Sequence, residues 1–476
     1  MGNEDASSLE GHQSGQNDSR DSFQLPKETP CPVFINEKAL MRKIDLRVIP
    51  VLFIVYFAAF LDRVNISNAL TLGLPKDLHL KGMQPNIALT IFFVPYVVFE
   101  IPSNFLMKRC KPHVWLSGCI LCFGIVMMCQ GWVQNYSGLL ATRFLLGLAE
   151  AGIFPGSFYL ISFWYKREEA QQRFTYYWCS VLAASMFGGL LASAISNMDG
   201  IQGYSSWRWI FILEGIATIL IGIASYFFIS DFPSESKWLN EDERAFVISR
   251  SGSNEAQGMR ITYRDILFYF ADPKNICGAL LYFAMVVPIY AYAYFAPTII
   301  KALGYSTVQT QLHTVPPVAA ALALCLIFAY FSDRFRLRSP FIAVGIALCI
   351  TGVGILLTVH GRNHFSVEYL GICFVAMGAF ATGPIVVCWY VMNLVGHTQR
   401  SIGTAFMISF GNTGGFVATF CFLSRDAPNY HTGYSVVMGC VCLGAASAAM
   451  YALLIMWERR KMVMSGEKGS RQWLYL

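Results

Sequence analysis

The sequence predicts an all-α membrane protein in which twelve transmembrane helices form two pseudo-symmetric six-helix bundles. Three observations lead there. Of 476 residues 55% are apolar and only 13% charged, with a mean hydropathy of +0.48, whereas soluble proteins carry about 25% charged residues. Apolar runs near the length of about 20 residues that crosses a bilayer recur twelve times. The longest polar interruption, residues 231–273, falls after the sixth run and divides the chain into equal halves.

A polar stretch at residues 1–45 comes first. It has no apolar h-region, so no cleavable signal is expected, and its composition reads as a disordered tail. The first bundle, residues 46–230, holds runs centred in 47–69, 86–107, 113–134, 138–164, 175–197 and 207–230. The second, residues 274–458, holds runs in 275–299, 312–331, 340–360, 367–392, 401–423 and 433–457, and residues 459–476 form a short tail. Basic residues cluster on one side of these runs: Lys108, Arg109, Lys111, Lys166, Arg167, Arg173, Arg334, Arg336, Arg338, Arg400, Arg459, Arg460 and Lys461. The other side has Lys76, Lys81, Lys301, Arg362 and Arg425. By the positive-inside rule both termini and the central loop are cytoplasmic, and the plasma membrane is the expected location.

Several function classes drop out. The net charge of +6 is spread in short clusters between apolar runs, which is not a nucleic-acid surface. Most of the fourteen cysteines lie inside apolar runs and behave as small apolar residues. Cys119-x-x-Cys122 has no second pair or nearby histidine to make a metal or redox site. There is no Gly-x-x-x-x-Gly-Lys-Ser/Thr loop for an ATP-driven pump. No catalytic constellation suggests an enzyme, and no cofactor or metal is expected.

The first run raises the functional question. Val48 to Leu61 is fourteen residues, about 21 Å of helix against a hydrocarbon core of about 30 Å. The helix must therefore continue through Asp62 and Arg63, and these charges lie within the membrane thickness. Intramembrane charges are costly and mark pathways or pairs. The others inside the runs are Glu100, Arg143, Glu150 and Glu214, all in the first half. The second half offers Tyr290, Tyr292, Tyr294, His313, Trp389, Tyr390, Asn393 and Asn412. Arg143 and Glu150, seven residues apart, share one helix face about 10 Å apart along the axis, with Gly147 between them. The tyrosines at 290, 292 and 294 advance by about 200°, so they do not all face one site. Glu214 reads as a structural partner for a neighbouring helix, and Trp207 and Trp209 as an interfacial anchor.

The chain resembles the major facilitator superfamily. Asp333-Arg334 with Arg338 is similar to its loop signature Gly-x-x-x-Asp-Arg-x-Gly-x-x-Arg; the first-half copy, PSNFLMKRCKPHVW, lacks the Asp. Within it the chain resembles the anion:cation symporter family, in its fungal allantoate- and nicotinate-permease-like group. The carrying residues are Asp62-Arg63-Val64-Asn65, Phe99-Glu100-Ile101-Pro102-Ser103-Asn104, RFLLGLAEAGIFPG at 143–156, Trp207-Arg208-Trp209-Ile210-Phe211, DFPSESKWLNEDER at 231–244, and Gly411-Asn412-x-x-Gly415. The resemblance implies the major facilitator fold, a cavity lined by spans one and four, and import of a small carboxylate with protons.

These readings combine into one expectation: a monomeric, proton-driven importer of a small organic anion. Arg63 and Arg143 are the candidate anion ligands, because a guanidinium binds a carboxylate through two parallel hydrogen bonds. Tyr96, Asn393 and Asn412 are further candidates for the substrate, Asp62 and Glu150 for the proton. Glu100 is a candidate gate, and Asp333, Arg334 and Arg338 a cytoplasmic latch. A static Arg–carboxylate pair between spans one and four is the alternative for the charged set. Two other functions stay open. An exporter of a drug or secondary metabolite is disfavoured because span five, VLAASMFGGLLASAI, lacks a Gly-Pro pair, though a transporter serving a fungal biosynthetic pathway stays open; a nutrient sensor is disfavoured because such sensors often carry long cytoplasmic extensions, which the tail of about 45 residues does not resemble.

Overall fold

Span one is a single helix from Glu37 to Thr71, 35 residues and about 50 Å long. Its start is set by Asn36, whose side chain accepts from the Ala39 amide at 3.2 Å. The helix thus begins ten residues before the apolar run and stands proud of the membrane. The computed structural model describes residues 36–251, 271–302, 304–359, 365–394, 397–427 and 429–464. The tail expected over residues 1–45 otherwise lies outside these, as do the last twelve residues of the chain and part of the central loop.

All regular structure among the described residues is helical. Eleven helices or end-to-end helix pairs are long and apolar enough to cross a membrane. The remaining expected span, 401–423, is two helices, His397–Asn412 and Gly414–Cys421, parted at Thr413. Three other spans also break. Span two divides between Gln84–Thr90 and Phe93–Arg109, span four between Tyr136–Glu150 and Ile153–Trp164, and span eight between Thr307–His313 and Val315–Phe335. In spans four and eleven the breaks fall directly after Glu150 and Asn412, two of the candidate residues.

Within the first half, span three packs on six, and span one on five and six; within the second, nine packs on ten, and seven on twelve, ten and eleven. The halves meet where five faces eight and ten, where one faces seven, and where two faces eleven. Outward-facing apolar side chains such as Leu220, Phe227 and Tyr330 are 60–75% exposed, as lipid-facing positions require.

One face of the bundle carries the basic clusters and is called the basic face below. On the opposite face the two halves are joined. Lys301 Nζ donates to the Thr71 carbonyl at 3.0 Å, and Gln311 Nε2 to Thr71 Oγ1 at 3.0 Å. Asn86 Nδ2 donates to the Thr419 carbonyl at 2.7 Å, and the Thr90 and Thr419 hydroxyls meet at 2.7 Å. At the basic face a central-loop helix, Glu241–Ser251, is tied to the first half by Lys43–Glu243 at 2.8 Å and by Arg250 to Glu37 and Glu169.

One sequence expectation is corrected here. Trp207 is not an interfacial anchor: it is fully buried, and its indole donates to Asp77 Oδ2 at 2.7 Å. Asp77, in the short helix Leu74–Asp77, also accepts from Ser205, so the loop after span one folds back over the start of span six.

Candidate functional site

Adjacent residues on a helix point about 100° apart. Span one therefore sends Arg63 and Asp62 to different neighbours. Arg63 faces spans four and seven. Its Nε donates to Glu150 Oε2 at 3.1 Å, one terminal nitrogen donates to Glu150 Oε1, and the other donates to the Tyr290 hydroxyl at 2.5 Å. The guanidinium carbon lies 4.9 Å from the Tyr96 ring centre and 5.2 Å from that of Phe92. Arg63 is 1% exposed and Glu150 is fully buried. Charge, planar fork and aromatic faces are all satisfied by protein groups.

Glycine makes this closeness possible. A Cβ on Gly147 would overlap the Phe92 carbonyl oxygen and crowd Pro95. Without one, spans two and four approach closely enough to put Phe92, Tyr96 and Glu150 around one guanidinium.

From Tyr290 the polar contacts continue through the second half. Its hydroxyl donates to Asn412 Oδ1 at 3.4 Å, and Asn412 Nδ2 donates to Glu100 Oε2 at 3.3 Å. Glu150, Arg63, Tyr290, Asn412 and Glu100 thus form one row that leaves the first half and returns to it. Beside the row lies a small cavity of about 20 Å³, room for little more than a water molecule, walled by Tyr56, Tyr96, Trp178, Tyr282, Tyr290 and Asn412 among others. It sits between the halves and has an aromatic lining with few polar groups, the usual make-up of a small-molecule site.

Asp62 faces span six instead. Thr218 Oγ1 donates to Asp62 Oδ2 at 2.8 Å. Asn65, one turn on, donates to Glu214. Arg143 comes near both charged residues of span one but bonds weakly, with one nitrogen 3.5 Å from the Arg63 carbonyl oxygen. It is 2% exposed, and its Nε and other terminal nitrogen have no partner.

The structure therefore brings together Arg63, Glu150, Tyr96, Asn412 and Glu100 at one site, with Asp62 and Arg143 behind it. Asn393 is elsewhere: it donates to the Trp389 carbonyl at 2.9 Å and interacts with Tyr451 of span twelve. The hydrogen bonds of the candidate latch stay within the second half, while Arg173 of span five also faces Asp333. Arg338, 2% exposed, donates to Asp333 at 2.5 Å and to Ser332 at 2.6 Å, while Arg334 is exposed. The sequence reading gave Arg63 to a substrate anion and left its partner open; here the partner is Glu150. It did not single out Thr218, although Thr218 stands one turn from Glu214 on the face that meets Asp62 and Asn65.

Residues 52–449 match the Major Facilitator Superfamily. The chain is 31% identical over 438 residues to the MFS-type transporter cnsO of Penicillium expansum, covering 90% of this chain and 85% of the relative. It is 31% identical over 412 residues to the high-affinity nicotinic acid transporter of Saccharomyces cerevisiae, covering 86% and 76%. It is 31% identical over 459 residues to the major facilitator-type transporter hxnP of Emericella nidulans, covering 94% and 91%. Among solved structures it resembles the proton:xylose symporter XylE, with a TM-score of 0.68 at 15% identity over 87% of this chain and 96% of that one.

Proposed function

The chain belongs to the Major Facilitator Superfamily, and on that premise we propose that it is a proton-coupled importer of a small organic monocarboxylate of the anion:cation symporter type. The observation that carries this reading is the buried Arg63–Glu150 pair, held by Tyr290 at the wall of the cavity between the halves. Similarity to a nicotinic acid transporter supports the substrate class; nicotinate, allantoate and pantothenate are all small carboxylate anions.

The chemistry is an exchange. The Arg63 fork is occupied by the carboxylate of Glu150. A proton on Glu150 cancels that charge and frees the fork for a substrate carboxylate of the same geometry. Tyr96 and Phe92 stack on the guanidinium and keep it in place, and the aromatic walls accept a flat or apolar substrate body. Tyr290 and Asn412, from the second half, report the exchange to that half. In this reading the basic face is cytoplasmic, the plasma membrane is the site, and the monomer is the working unit.

The test is uptake of labelled nicotinate, allantoate and pantothenate into cells lacking their own permeases, at two external pH values. Acid-stimulated accumulation of one anion, lost in Arg63→Gln, is the expected result. Uptake indifferent to pH, or equal efflux of a cationic drug, would overturn the reading.

A further inference from the structure

Span one and span six are stitched by two rungs one turn apart. Asp62 accepts from Thr218, and Asn65 donates to Glu214 Oε2. Each carboxyl therefore has one oxygen held by a neutral donor. The other oxygen, Asp62 Oδ1 or Glu214 Oε1, has no hydrogen-bond partner among the described residues, although the two residues are 0% and 5% exposed.

The charges around them do not balance. Arg63 and Glu150 neutralise one another. Arg143 of span four then faces Asp62, with Nε and one terminal nitrogen unpartnered. Glu150 of span four also faces Asp62, and Tyr294 of span seven faces Arg143. Glu214 interacts electrostatically with Asp62. Asp62 thus faces both the Arg143 guanidinium and the Glu214 carboxyl, and two acidic groups stand near one uncommitted cation in a site closed to solvent. An uncompensated charge there is expensive, and a single proton removes it.

We propose that Asp62 and Glu214 hold one exchangeable proton between them, resident on Glu214 Oε1, while Asp62 stays ionised opposite Arg143. Glu214 Oε2 is then the carbonyl oxygen that accepts from Asn65, as observed. Asn65 Oδ1 in turn accepts from Asn68 at 2.9 Å. Asn68 lines a second small cavity, about 20 Å³, with Ser185, Gly188 and Thr314 toward the opposite face. The row Asn68–Asn65–Glu214 ties the carboxyl by hydrogen bonds to the polar side of that cavity, fixing Oε2 as acceptor and leaving Oε1 for the proton. The inference deepens the coupling proposed above, yet its test needs no substrate and no transport.

The experiment is infrared spectroscopy of the full chain in lipid at neutral pH, reading the protonated-carboxyl band that shifts in heavy water. Glu214→Gln loses the area of one carboxyl. Arg143→Gln gains one, because Asp62 must then take up a proton. An unchanged area in either variant overturns the proposal. Where Glu214→Gln does not give folded protein, Asn65→Ala decides: losing its N–H must raise the frequency of the Glu214 carbonyl, and an unmoved band overturns the assignment.

Discussion

Arg63 and Glu150, 87 positions apart, meet through two hydrogen bonds with both side chains out of reach of solvent. Removing one partner of a buried pair leaves the other uncompensated and costs about 3–5 kcal/mol. Arg63→Gln and Glu150→Gln should each lower thermal stability sharply, and the double variant should lose less than the sum. A coupling energy of about 1–3 kcal/mol in the cycle is expected. Additive losses would show that the pair is not a unit. Substrate accumulation should fail in all three, because the Arg63 variants lack the anion-binding fork and Glu150→Gln lacks the carboxyl that exchanges the proton.

The closed seam on the opposite face makes a second prediction. Thr71 takes hydrogen bonds from both Lys301 and Gln311, each 3.0 Å away. Cysteines placed at Thr71 and Gln311 and joined by a short bifunctional thiol reagent should stop transport, and reductive release of a cleavable linker should restore it. Full transport while linked would mean that this seam does not open in the cycle.

Two glycines of the first half should respond oppositely to the same change. At Gly147 a Cβ overlaps the Phe92 carbonyl, so Gly147→Ala should cost about 1–3 kcal/mol and displace the aromatic groups around Arg63. At Gly118 nothing lies within 4 Å of the new atom. Gly118→Ala should stabilise span three by about 0.5–1 kcal/mol. Thermal unfolding of the purified variants reads both; equal shifts in one direction would contradict the close contact of spans two and four.

The central-loop helix should loosen in acid. Lys43 hydrogen-bonds Glu243 and holds its carboxyl below the usual glutamate range, with help from the Asn240 amide. A lowered folded value means that this tie is fully present above the unfolded glutamate value of about 4.3 and is lost as pH falls through the folded one. Both side chains are partly exposed, so the effect is small and salt-sensitive. Protease nicking near residue 243 should rise below that range in the native chain. In Glu243→Gln it should be raised already at neutral pH and flat with acid; a native chain that stays resistant would remove the role of this pair.

Much of the architecture was legible because spans are long and bilayer thickness is fixed. The fourteen-residue run before Asp62 was enough to place two charges inside the membrane. Legibility stopped at rotation about the helix axis. A sequence says that Asp62 and Arg63 differ by about 100°, but not which neighbour lies at each bearing. Hence Glu150 and Arg143 were seen as candidates, while the assignment of Glu150 to Arg63 and of Thr218 to Asp62 needed the packed helices. Trp207 failed for a related reason. An aromatic residue at a span end anchors in the interface only when no protein group covers it, and Asp77 covers this one. The start of span one was missed because the helix continues through polar residues that no membrane requires.

The Arg63–Glu150 pair is contained within the first half, while Tyr290 joins it from 227 positions further along the chain. During synthesis this buried charge pair can therefore be neutralised before the second bundle leaves the ribosome. The first bundle need not wait with open charges in the lipid. Two separately expressed pieces, divided in the central loop, should assemble in one membrane into a working protein, with the tyrosine hydroxyl as the last contact added to an arginine already housed.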